Sequence, residues 1–231
     1  MSQLSLVDVP PPQLPPSVDL RCCSVQDLIS GYEGEGAALV IADPPWVYSQ
    51  APGHSADPDL HYETLSDTDI AQILADAGGL LDKGRLAVWC TWPKLGQFWQ
   101  ATEQVQWPWR YVSGGAWSKV GGSSGTGYHW LGASEPVLLY CKGTGLCAKW
   151  TSLNNAHTSQ RMAHSEKPWQ WMAGWLERWT EPGDLVVDLF AGMGPVALAC
   201  IATGRRYLGA EIDPERHRQG IDRIAMGMGQ L

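Results

Sequence analysis

The sequence predicts an α/β protein with a doubly wound, mostly parallel sheet and helices on both faces. Two apolar runs, residues 37–42 and 185–190, have the composition of strands that are buried on both sides. Each run ends at a turn that cannot continue a strand. Strand-like and helix-like segments alternate along 231 residues, a length typical of one such domain.

The chain begins with a proline-rich stretch, residues 1–20, which predicts an extended arm in front of a single domain over residues 21–231. Ser24 suits the N-cap of a short helix. A polar loop over residues 47–63 follows the first buried run, and loops of this length are usually functional. Ser66 then predicts the start of an amphipathic helix with an acidic first turn.

The middle of the chain predicts further strands, at residues 86–91, 111–118 and 136–141. A helix is expected over residues 94–106. Gly114 and Gly115 predict a break in the strand that contains them. Residues 143–165 show no periodicity and indicate irregular structure.

The C-terminal part repeats the strand, turn and helix pattern. Helices are predicted over residues 169–179 and 196–203, and a strand over residues 207–212. Pro214 suits the first position of the last helix. Parallel strands connected in this way bring their carboxyl ends to one edge, where open α/β sheets bind ligands.

The first motif with a chemical meaning is Asp43-Pro44-Pro45-Trp46, at the end of the first buried run. Two prolines stop the strand and hold Asp43 extended at its carboxyl end. Asp43 and the Pro44 carbonyl can both accept hydrogen bonds from an exocyclic amine, which would localise the lone pair of the amine nitrogen. Trp46 can stack on the ring that carries this amine. The motif therefore indicates chemistry at the amino group of a nucleobase.

The second motif is the run from Val186 to Gly194, an apolar strand followed by a glycine-rich turn. Gly192 and Gly194 allow the backbone to approach a ligand closely. Glu211 follows Asp188 by 23 residues, near the ~20 expected between such a turn and a ribose-binding acid. A nucleoside ligand is indicated, although the full dinucleotide fingerprint is absent.

Together these motifs resemble the class I S-adenosylmethionine (SAM) methyltransferases that act on the amino groups of adenine or cytosine. The catalytic motif precedes the cofactor motif by 145 residues. This permuted order is similar to the beta group of DNA amino methyltransferases and to the family of the messenger-RNA adenosine-N6 methyltransferase. Further similar stretches are Tyr48 and residues 61–64, 125–128 and 164–168.

The resemblance implies a Rossmann-like class I methyltransferase sheet, SAM as cofactor and no metal. It assigns catalysis to Asp43, Pro44, Pro45 and Trp46. It assigns substrate binding to Trp46, Tyr48, His61 and Tyr62. Cofactor contacts are implied for Asp43, His164, Ser165, Lys167, Asp188, Phe190, Ala191, Gly192, Gly194, Glu211 and Asp213. Among them, Lys167 would contact the carboxylate of the cofactor.

The expected reaction is methylation of the N6 amine of adenine in DNA, because Asp rather than Ser opens the tetrapeptide. Cytosine-N4 methylation and methylation of adenosine N6 in RNA are the alternatives. A non-catalytic subunit that binds nucleic acid is a further alternative, which the intact Asp43 and glycine turn disfavour. Only residues 110–165 leave room for a nucleic-acid-contacting insert. A second subunit, in a homodimer or heterodimer, is therefore a further possible source of nucleic-acid contacts.

The overall charge argues weakly against a general nucleic-acid binder, and the basic middle segment fits either phosphate contacts or an uneven surface charge. The net charge is −8, but residues 110–178 hold 7 Lys/Arg against 3 Asp/Glu, a net charge of +4. Phosphate contacts are therefore expected from this segment. Six cysteines form no Cys-x-x-Cys pair, and no apolar run approaches ~18 residues. A cytoplasmic protein of a microbe or a phage-infected cell is expected, with no membrane contact.

Overall fold

The computed structural model describes residues 12–47, 64–120, 133–144, 154–160 and 167–229. Within these residues, one sheet is covered by helices. The strands are β1 (Val18–Cys22), β2 (Leu39–Ala42), β3 (Gly84–Trp89), β4 (Arg110–Val120), β5 (Ser134–Lys142), β6 (Ala156–Gln160), β7 (Leu185–Asp188) and β8 (Arg206–Glu211). The α-helices are α1 (Val25–Ser30), α2 (Asp67–Asp76), α3 (Leu95–Thr102), α4 (Trp169–Trp179), α5 (Pro195–Thr203) and α6 (Pro214–Met228).

The strand order across the sheet is β1-β8-β7-β2-β3-β5-β4-β6. Strand β5 runs antiparallel to both of its neighbours, β3 and β4. Every other pair of neighbouring strands is parallel. The prediction of a mostly parallel sheet is confirmed.

The helices lie on both faces, and strand β2 shows how the sequence divides the core between them. Val40 and Ala42 face the layer formed by α1, α2 and α3. Leu39 and Ile41 face the layer formed by α4, α5 and α6. All four side chains are at most 1% exposed. Because successive side chains alternate across a strand, an entirely apolar run is the expected pattern for a strand with a helix layer on each side.

Strand β1 overlaps the last three residues of the stretch predicted as a proline-rich arm. Val18 pairs with Tyr207 of β8, and the Tyr207 N–H donates to the Ser17 carbonyl at 2.8 Å. Val18 and Leu20 are each 8% exposed. The short alternation of apolar residues in β1 adds an edge strand that the preceding prolines do not disturb.

Strand β6 lies in a stretch that was predicted to be irregular, and it pairs parallel with β4. The predicted break in β4 was also wrong, since Gly114 and Gly115 both lie inside the strand. A β-carbon on Gly115 would come within 2.8 Å of the Asn155 carbonyl oxygen, so glycine lets the neighbouring chain approach. Strands β4, β5 and β6 place most of the described part of residues 110–165 in the sheet, and nucleic-acid contacts by this segment stay a prediction.

Helix starts agree with the sequence. Ser24 and Ser66 cap α1 and α2 with their side-chain oxygens, as predicted. Pro214 occupies the first turn of α6 as predicted, and Asp213 caps this helix by accepting two backbone N–H groups. Pro168 occupies the N-cap of α4. Among the described helices, none is long and apolar enough to cross a membrane.

Candidate active site

Strands β2 and β7 bring the two predicted motifs to one edge of the sheet. We call residues 43–46 the DPPW turn and residues 191–195 the glycine turn. Strands β2 and β7 are parallel neighbours, with Ile41 opposite Asp188. The Leu189 N–H donates to the Ile41 carbonyl at 3.0 Å just before the strands diverge. The DPPW and glycine turns, distant in sequence, therefore leave adjacent strand ends.

The DPPW turn is held rigidly by backbone hydrogen bonds. The Pro44 carbonyl accepts the Trp46 N–H at 2.9 Å, and the Pro45 carbonyl accepts the Leu65 N–H at 2.9 Å. The Pro44 carbonyl keeps a second lone pair for another donor. The Asp43 side chain, which begins the turn, is 39% exposed. A fixed turn thus presents two oxygen acceptors at the end of β2.

The Trp46 side chain points into the core and is 6% exposed. Its ring meets Phe98 edge-on at 5.4 Å between centroids, and its indole N–H donates to the Trp89 carbonyl at 3.3 Å. Trp46 therefore anchors the DPPW turn to β3 and to α3. The stacking of Trp46 on a nucleobase stays a prediction.

The carboxylate of the DPPW turn belongs to a cluster of four charged side chains. The Lys167 ammonium lies 2.6 Å from Asp43 Oδ2 and 3.3 Å from Glu135 Oε2. Glu135 also pairs with Lys119. We call Asp43, Lys119, Glu135 and Lys167 the charge cluster. It joins β2, β4, β5 and the residue pair that precedes α4.

The pKa values in the charge cluster follow from burial and from the alternation of charge. Burial raises the pKa of the Asp43 carboxyl, and the Lys167 ammonium partly opposes this rise. Burial lowers the pKa of Lys167, but Asp43 and Glu135 outweigh it, so this pKa is raised. Burial also acts against an ionised Glu135, but Lys167 and Lys119 hold the pKa of Glu135 below its ordinary value. Asp43 is therefore the member that gains a proton first as the pH falls.

Sequence reasoning missed Glu135 and Lys119 as site residues. Glu135 lies at the second position of β5 and faces Trp117 of β4 across the ladder. The sequence did contain a signal, because Glu135 is one of only 3 acidic residues in the basic segment 110–178. That signal alone could not place the side chain beside Asp43, because the pairing of β3, β5 and β4 was unknown.

The two glycines of the glycine turn serve different purposes. Gly192 has φ +52° and Gly194 has φ +73°, both in the left-handed region that favours glycine. A β-carbon on Gly194 would come within 2.7 Å of Ile224 Cδ1, so Gly194 lets α6 pack against the turn. A β-carbon on Gly192 would have no atom within 4 Å, so this side of the turn is open.

Glu211 ends β8 beside the glycine turn and is 9% exposed. Its Oε2 accepts the Gly192 N–H at 2.9 Å, and its Oε1 accepts the Asp213 N–H at 2.9 Å. A carboxylate has about four acceptor positions, so each oxygen keeps one for another donor. The two backbone bonds hold the carboxylate in one orientation.

Asp188 is the last residue of β7 and is 2% exposed. It accepts a hydrogen bond from the Tyr207 hydroxyl at 3.2 Å. Burial raises the pKa of Asp188 to about 7, although the Tyr207 hydroxyl and the Phe190 backbone N–H oppose the rise. Asp188 thus binds groups of the protein itself, and its contact with a cofactor stays a prediction.

The other predicted residues near the glycine turn also have structural partners. Asp213 caps α6 through Oδ1. Ala191 is 2% exposed, and its N–H donates to the Ala210 carbonyl at 2.9 Å. Phe190 is partly buried against the core. The contacts of Asp213, Ala191 and Phe190 with a cofactor stay predictions. The same holds for the cofactor contacts of Gly192, Gly194 and Glu211.

The residues at this edge fit a nucleoside cofactor. Glu211 offers two oriented carboxylate oxygens, which match the two hydroxyls of a ribose. Gly192 leaves open space beside them, and the next residue, Ile212, is 67% exposed and offers an apolar surface for a base. Tyr48, His61, Tyr62, His164 and Ser165 lie outside the described residues. Among the residues that are described, no group of acidic, His and Cys side chains could hold a metal ion.

Comparison with known proteins decides the family. The model of the N6/N4 methyltransferase family, described as DNA methylase, matches residues 93–222. This range covers more than half of the chain.

The chain belongs to this family of DNA methylases. The matched range includes the glycine turn, Glu211, Glu135 and Lys167, and it begins after the DPPW turn. The chain is also 34% identical over 98 residues to the type II methyltransferase M.XycI of Xanthomonas campestris pv. cyanopsidis, which is 42% of this chain and 31% of the other. The chain spans 30% and 31% of the length of two curated relatives that it matches.

Solved structures confirm the fold of the chain. The complex of M1.HpyAVI with SAM superposes with a TM-score of 0.67, covering 90% of this chain and 99% of the other at 16% identity. The cytosine-N4-specific PvuII DNA methyltransferase gives a TM-score of 0.66, covering 92% and 95% at 14% identity. The class I methyltransferase sheet predicted from the motifs is therefore the fold observed.

Proposed function

We propose that this methylase transfers a methyl group from SAM to an exocyclic amine of a base in DNA, with the N6 amine of adenine as the target. The observation that carries the proposal is that Asp43, paired with Lys167, directly follows β2, the parallel neighbour of the strand that leads into the glycine turn. Asp43, as the acceptor for an amine, and the glycine turn, as the binding site for a nucleoside, would thus be neighbours. Adenine is favoured by the resemblance noted above, because Asp opens the tetrapeptide.

Bound at this edge, SAM would supply an electrophilic methyl group. Glu211 would hold the ribose hydroxyls, and Ile212 would cover one face of the adenine ring of the cofactor. Lys167, next to Asp43, lies where a cofactor carboxylate could replace part of its pairing with Asp43. Each of these contacts uses an atom that the fold already orients, so little is lost to ordering on binding.

Asp43 and the Pro44 carbonyl would each accept a hydrogen bond from the target amine. These bonds draw the nitrogen toward a tetrahedral shape and direct its lone pair at the methyl group. The amine would give up one proton as it takes the methyl group that SAM supplies, and the Asp43 carboxylate would accept that proton. Positioning and electrostatics supply the rate enhancement. A base in a duplex must first leave the stack, which costs a few kcal/mol.

Nucleoside analysis after incubation with labelled SAM tests the proposal. The protein is incubated with unmethylated genomic DNA and, separately, with cellular RNA, and both are digested to nucleosides for mass analysis. The expected product is N6-methyldeoxyadenosine. N4-methyldeoxycytidine would assign the cytosine reaction instead. Methyl transfer to RNA alone, or no transfer to either polymer, would overturn the proposal.

Replacing Glu211 with Ala should weaken SAM binding by about 10- to 100-fold, because hydrogen bonds to a charged group contribute about 1.5–3 kcal/mol. Isothermal titration or SAM-dependent thermal stabilisation measures the change. Glu35→Ala is the control, since Glu35 pairs with Arg206 at the opposite end of the same strand, β8. Equal SAM affinity in the Glu211 variant and the parent would remove Glu211 from the cofactor site.

A further inference from the structure

Trp92 is an exposed aromatic side chain at the rim of the candidate active site. It follows β3 at the carboxyl edge of the sheet and is 53% exposed. Strands β2 and β3 are parallel neighbours, with Ala42 opposite Val88, so Asp43 and Trp92 both follow strand ends at the same edge of the sheet. Trp92 begins the 3₁₀ turn Trp92–Lys94 that comes after β3.

The orientation of the Trp92 ring is fixed. Its indole N–H donates to Ser134 Oγ at 2.9 Å. Ser134 directly precedes Glu135 of the charge cluster, so the ring is fastened to the strand that also carries this carboxylate. With its N–H already paired, the exposed surface of Trp92 consists of the apolar faces and edges of the ring.

The backbone beneath Trp92 is rigid as well. The Lys94 N–H donates to the Thr91 carbonyl at 2.9 Å, which closes a single 3₁₀ turn over Trp92–Lys94. The Lys94 ammonium lies 3.0 Å from both carboxylate oxygens of Asp67. Pro93 restricts the turn further. A large aromatic plane held this firmly loses little freedom when a ligand stacks on it.

Among the described residues of the site, few side chains other than Trp92 could stack on a base. Trp46 is buried against Phe98, and the other exposed apolar side chains at the carboxyl edge, such as Ile212 and Val47, are aliphatic. Bases outside the helical stack bind proteins largely by stacking on aromatic side chains.

From these observations we infer that Trp92 is a stacking surface for an unpaired base of the DNA substrate, at the rim of the Asp43 pocket. The inference rests on the proposed function and adds a residue that positions the DNA. The ligand is a nucleobase rather than a phosphate, because the exposed surface of the ring is apolar.

Binding to two oligonucleotides tests this role. One is a short single strand of adenines, and the other has the same length and backbone but abasic sites. Fluorescence anisotropy is measured with S-adenosylhomocysteine present. Trp92→Ala should bind the adenine strand about 5- to 150-fold more weakly than the parent and should bind the abasic strand equally well. Trp92→Phe, which keeps an aromatic plane, should restore most of the affinity.

Trp99→Ala is the matched control. Trp99 is 44% exposed, and its N–H is also anchored to a hydroxyl, that of Tyr140 at 3.2 Å, but it packs beside Tyr111 at the start of β4. Its replacement should change neither affinity. Equal losses of Trp92→Ala on both strands, or no loss on either, would overturn the inference.

The methyl-transfer assay separates this inference from the proposed function. If the parent methylates genomic DNA, Trp92→Ala should raise the KM for DNA more than it lowers kcat, while SAM affinity stays unchanged. If the parent methylates DNA and the variant shows the same KM, the Trp92 role alone fails. If the parent transfers no methyl group to DNA, the proposed function fails and the role of Trp92 falls with it.

Discussion

Replacing Asp43 with Asn should lower the rate of methyl transfer by about 10²- to 10⁴-fold, the range measured when a single catalytic acid, base or charge-stabilising group is removed. Asparagine has nearly the same shape, but it carries one acceptor oxygen and no charge. It can neither take the proton that the amine loses nor stabilise the positive charge that develops on the nitrogen. Because Glu211 and the glycine turn are left intact, SAM affinity should remain close to that of the parent.

Single-turnover kinetics with labelled SAM and genomic DNA measure the effect, and SAM titration checks cofactor binding. Asp67→Asn is the matched control, because Asp67 also pairs with a lysine, Lys94, whose side chain is buried. That variant should lose some stability but keep its rate per folded molecule. If Asp43→Asn kept the rate of the parent, the catalytic role of Asp43 would be refuted.

The central part of the site could be predicted because its determinants are local. A buried apolar run that meets two prolines must end there, and an apolar run that meets Gly192 must turn. The rule that parallel strands present their carboxyl ends at one edge then brings Asp43 and Glu211 to the same side. No knowledge of the strand order was required for this step.

The charge cluster could not be predicted, because its contacts join residues that are distant in sequence. Lys167 is 124 residues from Asp43 in sequence, and Lys119 is 16 residues from Glu135. These contacts depend on the strand order β2-β3-β5-β4 and on the register of the antiparallel pairs, neither of which is marked by a local pattern. A one-residue shift of β5 would have turned Glu135 to the other face of the sheet.

The sequence also failed to predict the two edge strands and the direction of the Trp46 side chain. Strands β1 and β6 have five residues each and lie at the two ends of the sheet, where one missing neighbour weakens the apolar pattern. Trp46 shows why the direction of a side chain is hard to predict. Its position after the prolines is evident from the sequence, but the cavity beside Phe98 that receives its ring is formed by α3, which is remote in sequence.

The charge cluster leads to the second large effect, that of replacing Lys167 with Met. The lysine is 7% exposed and touches both Asp43 and Glu135. Its removal leaves two carboxylates beside each other with less compensating charge. Like charges raise the pKa of a carboxyl, so the pKa of Asp43, which burial already raises, should rise further. Breaking a buried pair should also cost about 1–3 kcal/mol of folding free energy, less than a fully buried pair because Asp43 is partly exposed.

If methyl transfer requires ionised Asp43, the rate falls as the pH drops through the pKa of that carboxyl. A higher pKa therefore moves the acid limb of the pH–rate profile to higher pH in Lys167→Met, and the rate of this variant relative to the parent should be lower at pH 6 than at pH 8. Lys119→Met is the matched control. It removes a cation paired with Glu135 rather than with Asp43, so its acid limb should move less. A pH–rate profile measured for all three proteins at saturating SAM decides the matter. An acid limb in Lys167→Met that coincides with that of the parent would show that Lys167 does not control the ionisation of Asp43.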